Sequence, residues 1–159
     1  MSHTYAKNAV HIVFSTKSRV KCIPRELQSD LWAYMAGICR EIDVRVYLIG
    51  GAEDHVHLLI QVPPAVPLAK AVATIKANSS HWARQKKKGF AWQEGYGAFS
   101  VSASNIPAVE RYIQNQAEHH KRMDFQAEFL ALLKRHGIEP DSRYVFGLAV
   151  EEFERSSWR

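Results

Sequence analysis

Two apolar, β-branched runs, residues 45–50 and 55–62, stand only four residues apart, across Gly51-Ala52-Glu53-Asp54. A link that short cannot make the crossover a parallel pair requires, so the two runs must pair as an antiparallel hairpin. Helical periodicity brackets the hairpin. Upstream, Pro24 opens a 3.6-residue pattern through Leu27, Leu31, Tyr34, Met35, Ile38 and Ile42, which predicts a helix over 24–41. Downstream, Pro63, Pro64 and Pro67 stop the strand and open a second helix over about 68–88, with Ala71, Val72, Ile75 and Trp82 on its apolar side.

A further strand is read at 9–14, and a fourth at 98–103 after a glycine-spaced segment (Gly89, Gly95, Gly97). From Asn105 the chain reads as one long helix, with Pro107 in its first turn and Gly137 at its end. The order β-α-β-β-α-β predicts an α+β fold of the ferredoxin-like or RRM-like split βαβ kind. Its four-stranded antiparallel sheet carries two helices on one face, and the long C-terminal helix is the candidate cover for the other. The 159 residues fit one domain, read as 1–146, followed by an irregular tail over 147–159. The plan alone leaves function open, because unrelated activities share it.

Composition narrows the classes. No apolar run approaches the roughly 20 residues of a membrane span, and the first residues lack a signal-peptide pattern. Cys22 and Cys39 have no metal-type spacing and read as two reduced thiols, so a cytoplasmic protein is expected. The formal net charge of +5 is too small to establish a nucleic-acid partner. Arg84-Gln85-Lys86-Lys87-Lys88 concentrates four cations in five residues, either as a solvated helix end or as a footprint for phosphate.

His55-Val56-His57 is the sharpest local feature. On a strand the two imidazoles share one face about 7 Å apart and can converge on one divalent ion. The pair alone is weak evidence among eight histidines, yet the strand is otherwise apolar, and nothing in its pattern asks for two polar rings. A histidine-triad hydrolase would want a third histidine at Leu59, and a cupin a glutamate near Gln61. Tyr112 and Gln116 are four apart and would be neighbours on a helix face, although Tyr112 also has core spacing with Val109. His119 and His120 could bind metal or phosphate, but adjacent histidines on a polar stretch are more often simply solvated.

Five segments in order, 54–60 with the following Val62-Pro63-Pro64, then 76–80, 95–100 and 112–116, together resemble the HUH single-tyrosine transposases of single-stranded-DNA insertion sequences and their relatives associated with repetitive extragenic palindromes. The likeness runs from about residue 5 to residue 146. Ala52-Glu53 stands where many relatives have methionine and proline, in a turn away from the chemistry. The resemblance implies that His55 and His57 ligate a metal, that Gln116 is the third ligand through its side-chain oxygen, and that Tyr112 is the nucleophile. Such a mixed nitrogen and oxygen set suits Mn²⁺ or Mg²⁺, with zinc a competitor at the histidines. The implied reaction is cleavage and rejoining of single-stranded DNA at hairpin-flanked ends through a covalent 5′-phosphotyrosine link, by a homodimer whose tyrosine helix docks in cis or in trans.

Lys17, Arg19, Lys76, Arg84, Lys86, Lys87 and Lys88 are candidate phosphate contacts, with Phe90, Trp92 and Tyr96 as candidate stacking platforms. Three alternatives stay open: a non-catalytic nucleic-acid-binding module on the same plan, a domesticated relative that processes palindromes, and a small metal-dependent phosphodiesterase.

Overall fold

The computed structural model describes residues 4–120 and 123–141. The expected domain boundary at 146 and the tail 147–159 lie outside the described residues. Strands β1 (Ala9–Ser15), β2 (Arg45–Gly51), β3 (His55–Gln61) and β4 (Gly97–Val101) form one sheet in the order β2-β3-β1-β4. Every pairing is antiparallel, as the split βαβ reading expects. Helices α1 (Arg25–Glu41) and α2 (Leu68–Lys86) cover one face. Among the described residues no helix is long and apolar enough to cross a membrane.

Strand alternation divides the residues between the faces. Val10, Ile12 and Phe14 of β1 join Val56, Leu58 and Ile60 of β3 in the core beneath α1 and α2, where Leu31, Met35 and Ile75 are also buried. Their neighbours His11, Val13, His55, His57 and Leu59 point to the opposite face. That second face is covered, as the sequence led us to expect, but by a different device.

The single long helix expected from Asn105 to Gly137 is instead three: α3 (Ile106–Gln114), α4 (Gln116–His119) and α5 (Phe125–Arg135). The first break comes at Asn115, which leaves helical geometry (φ −93°, ψ 17°). Asp124 starts α5 as an extended N-cap whose carboxylate accepts a hydrogen bond from the Ala127 amide at 2.8 Å. A physical reason is length. An unbroken helix over those residues would run about 45 Å, whereas seven-residue strands offer only about 23 Å of sheet to cover. Breaking the helix brings both ends back over the same face.

Two glycines set how closely these helices approach. A Cβ on Gly50 of β2 would meet Ile113 Cγ2 at 2.9 Å and its carbonyl oxygen at 3.2 Å, and one on Gly97 of β4 would meet the Phe129 ring at 2.6 Å. Ile113 is next in sequence to Tyr112, and Phe129 is next to Glu128. We expect Gly50→Ala to push α3 off the sheet at a cost of about 1–3 kcal/mol. Denaturant melts would register that loss, and the activity proposed below should fall more than the folded fraction does, because Tyr112 moves with Ile113.

Candidate active site

On the α3–α5 face of the sheet, β3 presents His55 and His57 side by side, both fully buried. Each ring is oriented by a partner at Nδ1. His55 Nδ1 lies 2.7 Å from Asp54 Oδ1, and His57 Nδ1 lies 2.8 Å from His11 Nε2 on the adjacent strand. With both Nδ1 atoms engaged, both Nε2 atoms face a common centre, the outer-shell arrangement typical of metal-ligating histidines.

The broken helix delivers the remaining groups. Gln116, 1% exposed, places Oε1 at 3.0 Å from His55 Nε2 and 2.8 Å from His120 Nε2. Tyr112 and Gln116 belong to two helices rather than one, yet Gln116 Nε2 still reaches the Tyr112 carbonyl at 3.4 Å, so the neighbourhood expected from their spacing survives the break. The Tyr112 ring packs edge-on against His57 with centroids 5.7 Å apart. Tyrosine, histidines and glutamine therefore meet within a single chain.

Glu128 of α5 was not anticipated from the sequence, and it occupies the middle of the cluster at 1% exposure. Its Oε1 lies 3.0 Å from His57 Nε2, 3.4 Å from His120 Nε2 and 3.7 Å from His55 Nε2. Its Oε2 accepts the hydrogen bond of the Tyr112 hydroxyl, receives Gln116 Nε2 at 3.3 Å, and lies 2.9 Å from His119 Nε2. A signal was present: Glu128 sits at a core position of the stripe Phe125, Phe129, Leu132 and Leu133, where a charge is out of pattern. The solvated reading of His119 and His120 is corrected, because both rings turn inward to this carboxylate, which offers them a charge that water would otherwise screen.

The electrostatics follow from burial. Burial alone would raise the Glu128 carboxyl, but hydrogen bonds from His120 and His57 overcome it and hold the group well below the usual carboxylate range. Burial raises the Tyr112 phenol, and the hydrogen bond to Glu128 and its charge push the same way, so the resting oxygen is protonated. Burial lowers His57 to about 4 and His11 to about 3, the latter helped by His57.

Folded, these two rings resist protonation, whereas unfolded they take up protons near 6.5. Below that value the unfolded chain binds more protons, so stability rises with pH across the window from 4 to 6.5 and is lost on acidification. Glu128, lowered on folding, acts in the same direction as pH falls through the carboxylate range. Metal-free protein should lose on the order of 1 kcal/mol per pH unit for each ring. Thermal melts from about pH 7 to about pH 5 would test this, and a flat midpoint would contradict neutral buried rings.

The donor set fits a divalent ion. A carboxylate only accepts hydrogen bonds, so His55 donates Nδ1–H to Asp54, which leaves Nε2, 3.0 Å from Gln116 Oε1, as the nitrogen available to a metal. Two acceptors so placed call for a cation between them. Adjacent donors around an ion at about 2.1 Å stand roughly 3 Å apart, close to the spacings present here. His55, His57, His120 and Glu128 offer ligand atoms all within 4.8 Å of one another.

The candidate DNA contacts divide. Lys17, Arg84, Lys86, Lys87 and Lys88 are exposed, with Lys86 lying over the Trp82 ring at 5.6 Å. Half-buried Arg19 donates to Gln126 Oε1 at 2.9 Å, which ties it to α5. Lys76 donates to the Gln93 and Gly95 carbonyls at 2.6 and 2.7 Å and so braces the glycine-spaced loop. Phe90 and Trp92 are corrected as stacking platforms: both are buried in the core, with Trp92 Nε1 donating to Ser79 Oγ, because the loop folds its aromatics onto Phe14. Tyr96 packs partly buried against the same core.

A family model described as "Transposase IS200 like" matches residues 4–116. The chain is similar to the transposases for insertion sequence element IS200 of Salmonella typhimurium and Salmonella typhi, each 25% identical over 130 residues, covering 76% of this chain and 84% of theirs. In fold it is similar to a candidate transposase from Deinococcus radiodurans (TM-score 0.60, 21% identity, 73% of this chain and 95% of that one). It is likewise similar to a REP-associated tyrosine transposase bound to a REP hairpin (TM-score 0.58, 14% identity, 76% of this chain and 73% of that one).

Proposed function

Because the chain belongs to the IS200-like family of HUH tyrosine transposases, we propose that it cleaves and rejoins single-stranded DNA at hairpin-flanked ends through a 5′-phosphotyrosine intermediate at Tyr112. The observation that carries this reading is the convergence, in one buried cluster, of a tyrosine hydroxyl with His55, His57 and Gln116. A hydrolase would need a bound water in place of that phenol.

His55, His57 and Gln116 would hold a divalent ion, Mn²⁺ or Mg²⁺, which when bound supplies Lewis-acid neutralisation of the scissile phosphate's charge. The protein's own groups do the rest. Asp54 and His11 fix the two imidazoles, and Glu128 Oε2 holds the hydroxyl of Tyr112 toward them. The Tyr112 oxygen attacks phosphorus as its proton passes to Glu128 Oε2, to which the hydroxyl is already hydrogen-bonded; the phosphorus–oxygen bond to the 3′ side breaks, and the departing oxygen takes up one proton to leave as a 3′-hydroxyl. The new phosphotyrosine ester retains the energy of the broken one, so a second 3′-hydroxyl can reverse the step without ATP.

Exposed Lys17, Arg84 and Lys86 to Lys88 are the proposed phosphate contacts, for which a basic surface is the general requirement. A hairpin-bearing strand as partner is supported by the structural neighbour bound to a REP hairpin. A homodimer belongs to the same reading, since exchanging two ends needs two phosphotyrosines held together. Incubation with single-stranded, hairpin-flanked DNA and Mn²⁺ should yield a protein–DNA adduct that survives denaturing electrophoresis. Hairpin binding with no adduct under any divalent ion would instead favour the non-catalytic binding module.

A further inference from the structure

We infer that Glu128 is itself a ligand of the divalent ion, binding through Oε1 while Oε2 keeps the Tyr112 hydroxyl, so that one carboxylate links the cation to the nucleophile. This rests on the metal site proposed above and adds to its ligand set. The two oxygens face different groups. Oε1 stands among the Nε2 atoms of His57, His120 and His55 at 3.0, 3.4 and 3.7 Å. Oε2 meets the tyrosine hydroxyl, and also Gln116 Nε2 at 3.3 Å.

Charge argues the same way. Glu128 is 1% exposed, and among the described residues its ion-pair partners are all imidazoles. Buried charges are ordinarily paired or bound to metals, and an imidazole or amide that ligates through a lone pair brings no negative charge to match a divalent cation. A carboxylate within the same sphere supplies it. Packing braces its position: Phe125 stacks on the His55 ring at 4.7 Å and on Phe129 at 5.7 Å, which seats the first turn of α5 against the ligand strand. With His120 alongside, the set becomes richer in nitrogen and includes an anion, which suits Mn²⁺ better than Mg²⁺.

The test is Mn²⁺ binding to the full-length protein, followed by calorimetry and by loss of the free-ion electron paramagnetic resonance signal, without DNA. Outer-shell changes alone weaken metal sites by about 10–100-fold, so Glu128→Gln, which keeps the shape and removes the charge, should weaken Mn²⁺ binding by at least about tenfold. Glu128→Asp, which keeps the charge but withdraws it by one methylene, should also bind more weakly, and it serves if the glutamine variant does not fold. A folded variant of either kind that binds Mn²⁺ within about twofold of the parent overturns the inference. His57→Ala separates the two levels. If it loses the ion while Glu128→Gln keeps it, only the role of Glu128 fails. If His57→Ala also binds like the parent, the metal site proposed above fails with it.

Discussion

Tyr112→Phe is expected to reduce strand cleavage by at least roughly 10⁴-fold, the scale on which removing a nucleophile acts, and to abolish the covalent adduct. The substitution removes one oxygen and leaves the ring in its place against His57 and the α3 packing. Glu128 Oε2 loses one donor but keeps Gln116 Nε2 at 3.3 Å, so the loss in stability should be about 1 kcal/mol or less. A folded, DNA-binding, inactive protein is therefore the predicted phenotype. Gel assays with 5′- and 3′-labelled oligonucleotides, run beside thermal melts, measure both quantities. Residual cleavage with free 5′-phosphate would instead indicate that water attacks and that the phenol only lines the site.

Removing the divalent ion should have a comparable effect on chemistry and little on binding. Chelation, or His57→Ala, is expected to lower cleavage by about 10³-fold or more, since the scissile phosphate would keep its full charge. Hairpin affinity should change by only a few-fold, because sequence-independent affinity comes from cations on the surface, here Lys17, Arg84 and Lys86 to Lys88. Band-shift and cleavage assays on the same oligonucleotide, with and without chelator, separate the two. His57→Ala also removes a buried partner of Glu128, so its melting point must be measured beside its activity. Chelation carries no such complication and is the cleaner arm. Equal loss of binding and cleavage would mean that the cluster holds the protein together instead of acting on DNA.

The parts of this molecule legible in its sequence are those fixed by local pattern. The four-residue link at Gly51–Asp54 dictated the hairpin, and strand alternation put His55 and His57 on one face with Val56 on the other. Pro24, Pro67 and Gly137 marked helix ends where the structure has them. What local pattern missed was tertiary in origin. Helical periodicity continues across Asn115, and only the finite length of the sheet explains why the chain turns back there. Glu128 was overlooked because its partners lie on β3, 71 residues away, and on α3 and α4, which only the break in the helix folds back onto α5, although its place in an apolar stripe was a visible anomaly. Phe90 and Trp92 illustrate the opposite error: a glycine-spaced aromatic segment resembles a stacking surface until the core it fills is known.

The most direct test is to find where the DNA is attached. Adduct formed with Mn²⁺ would be digested with nuclease and trypsin, and the residual nucleotide located by peptide fragmentation. Cleavage after Arg111 and Lys121 leaves a peptide whose one tyrosine is Tyr112. The nucleotide mass is predicted on that residue, joined through a 5′-phosphate. Attachment at Tyr5, Tyr34, Tyr47, Tyr96 or Tyr144, or linkage through a 3′-phosphate, would contradict the account.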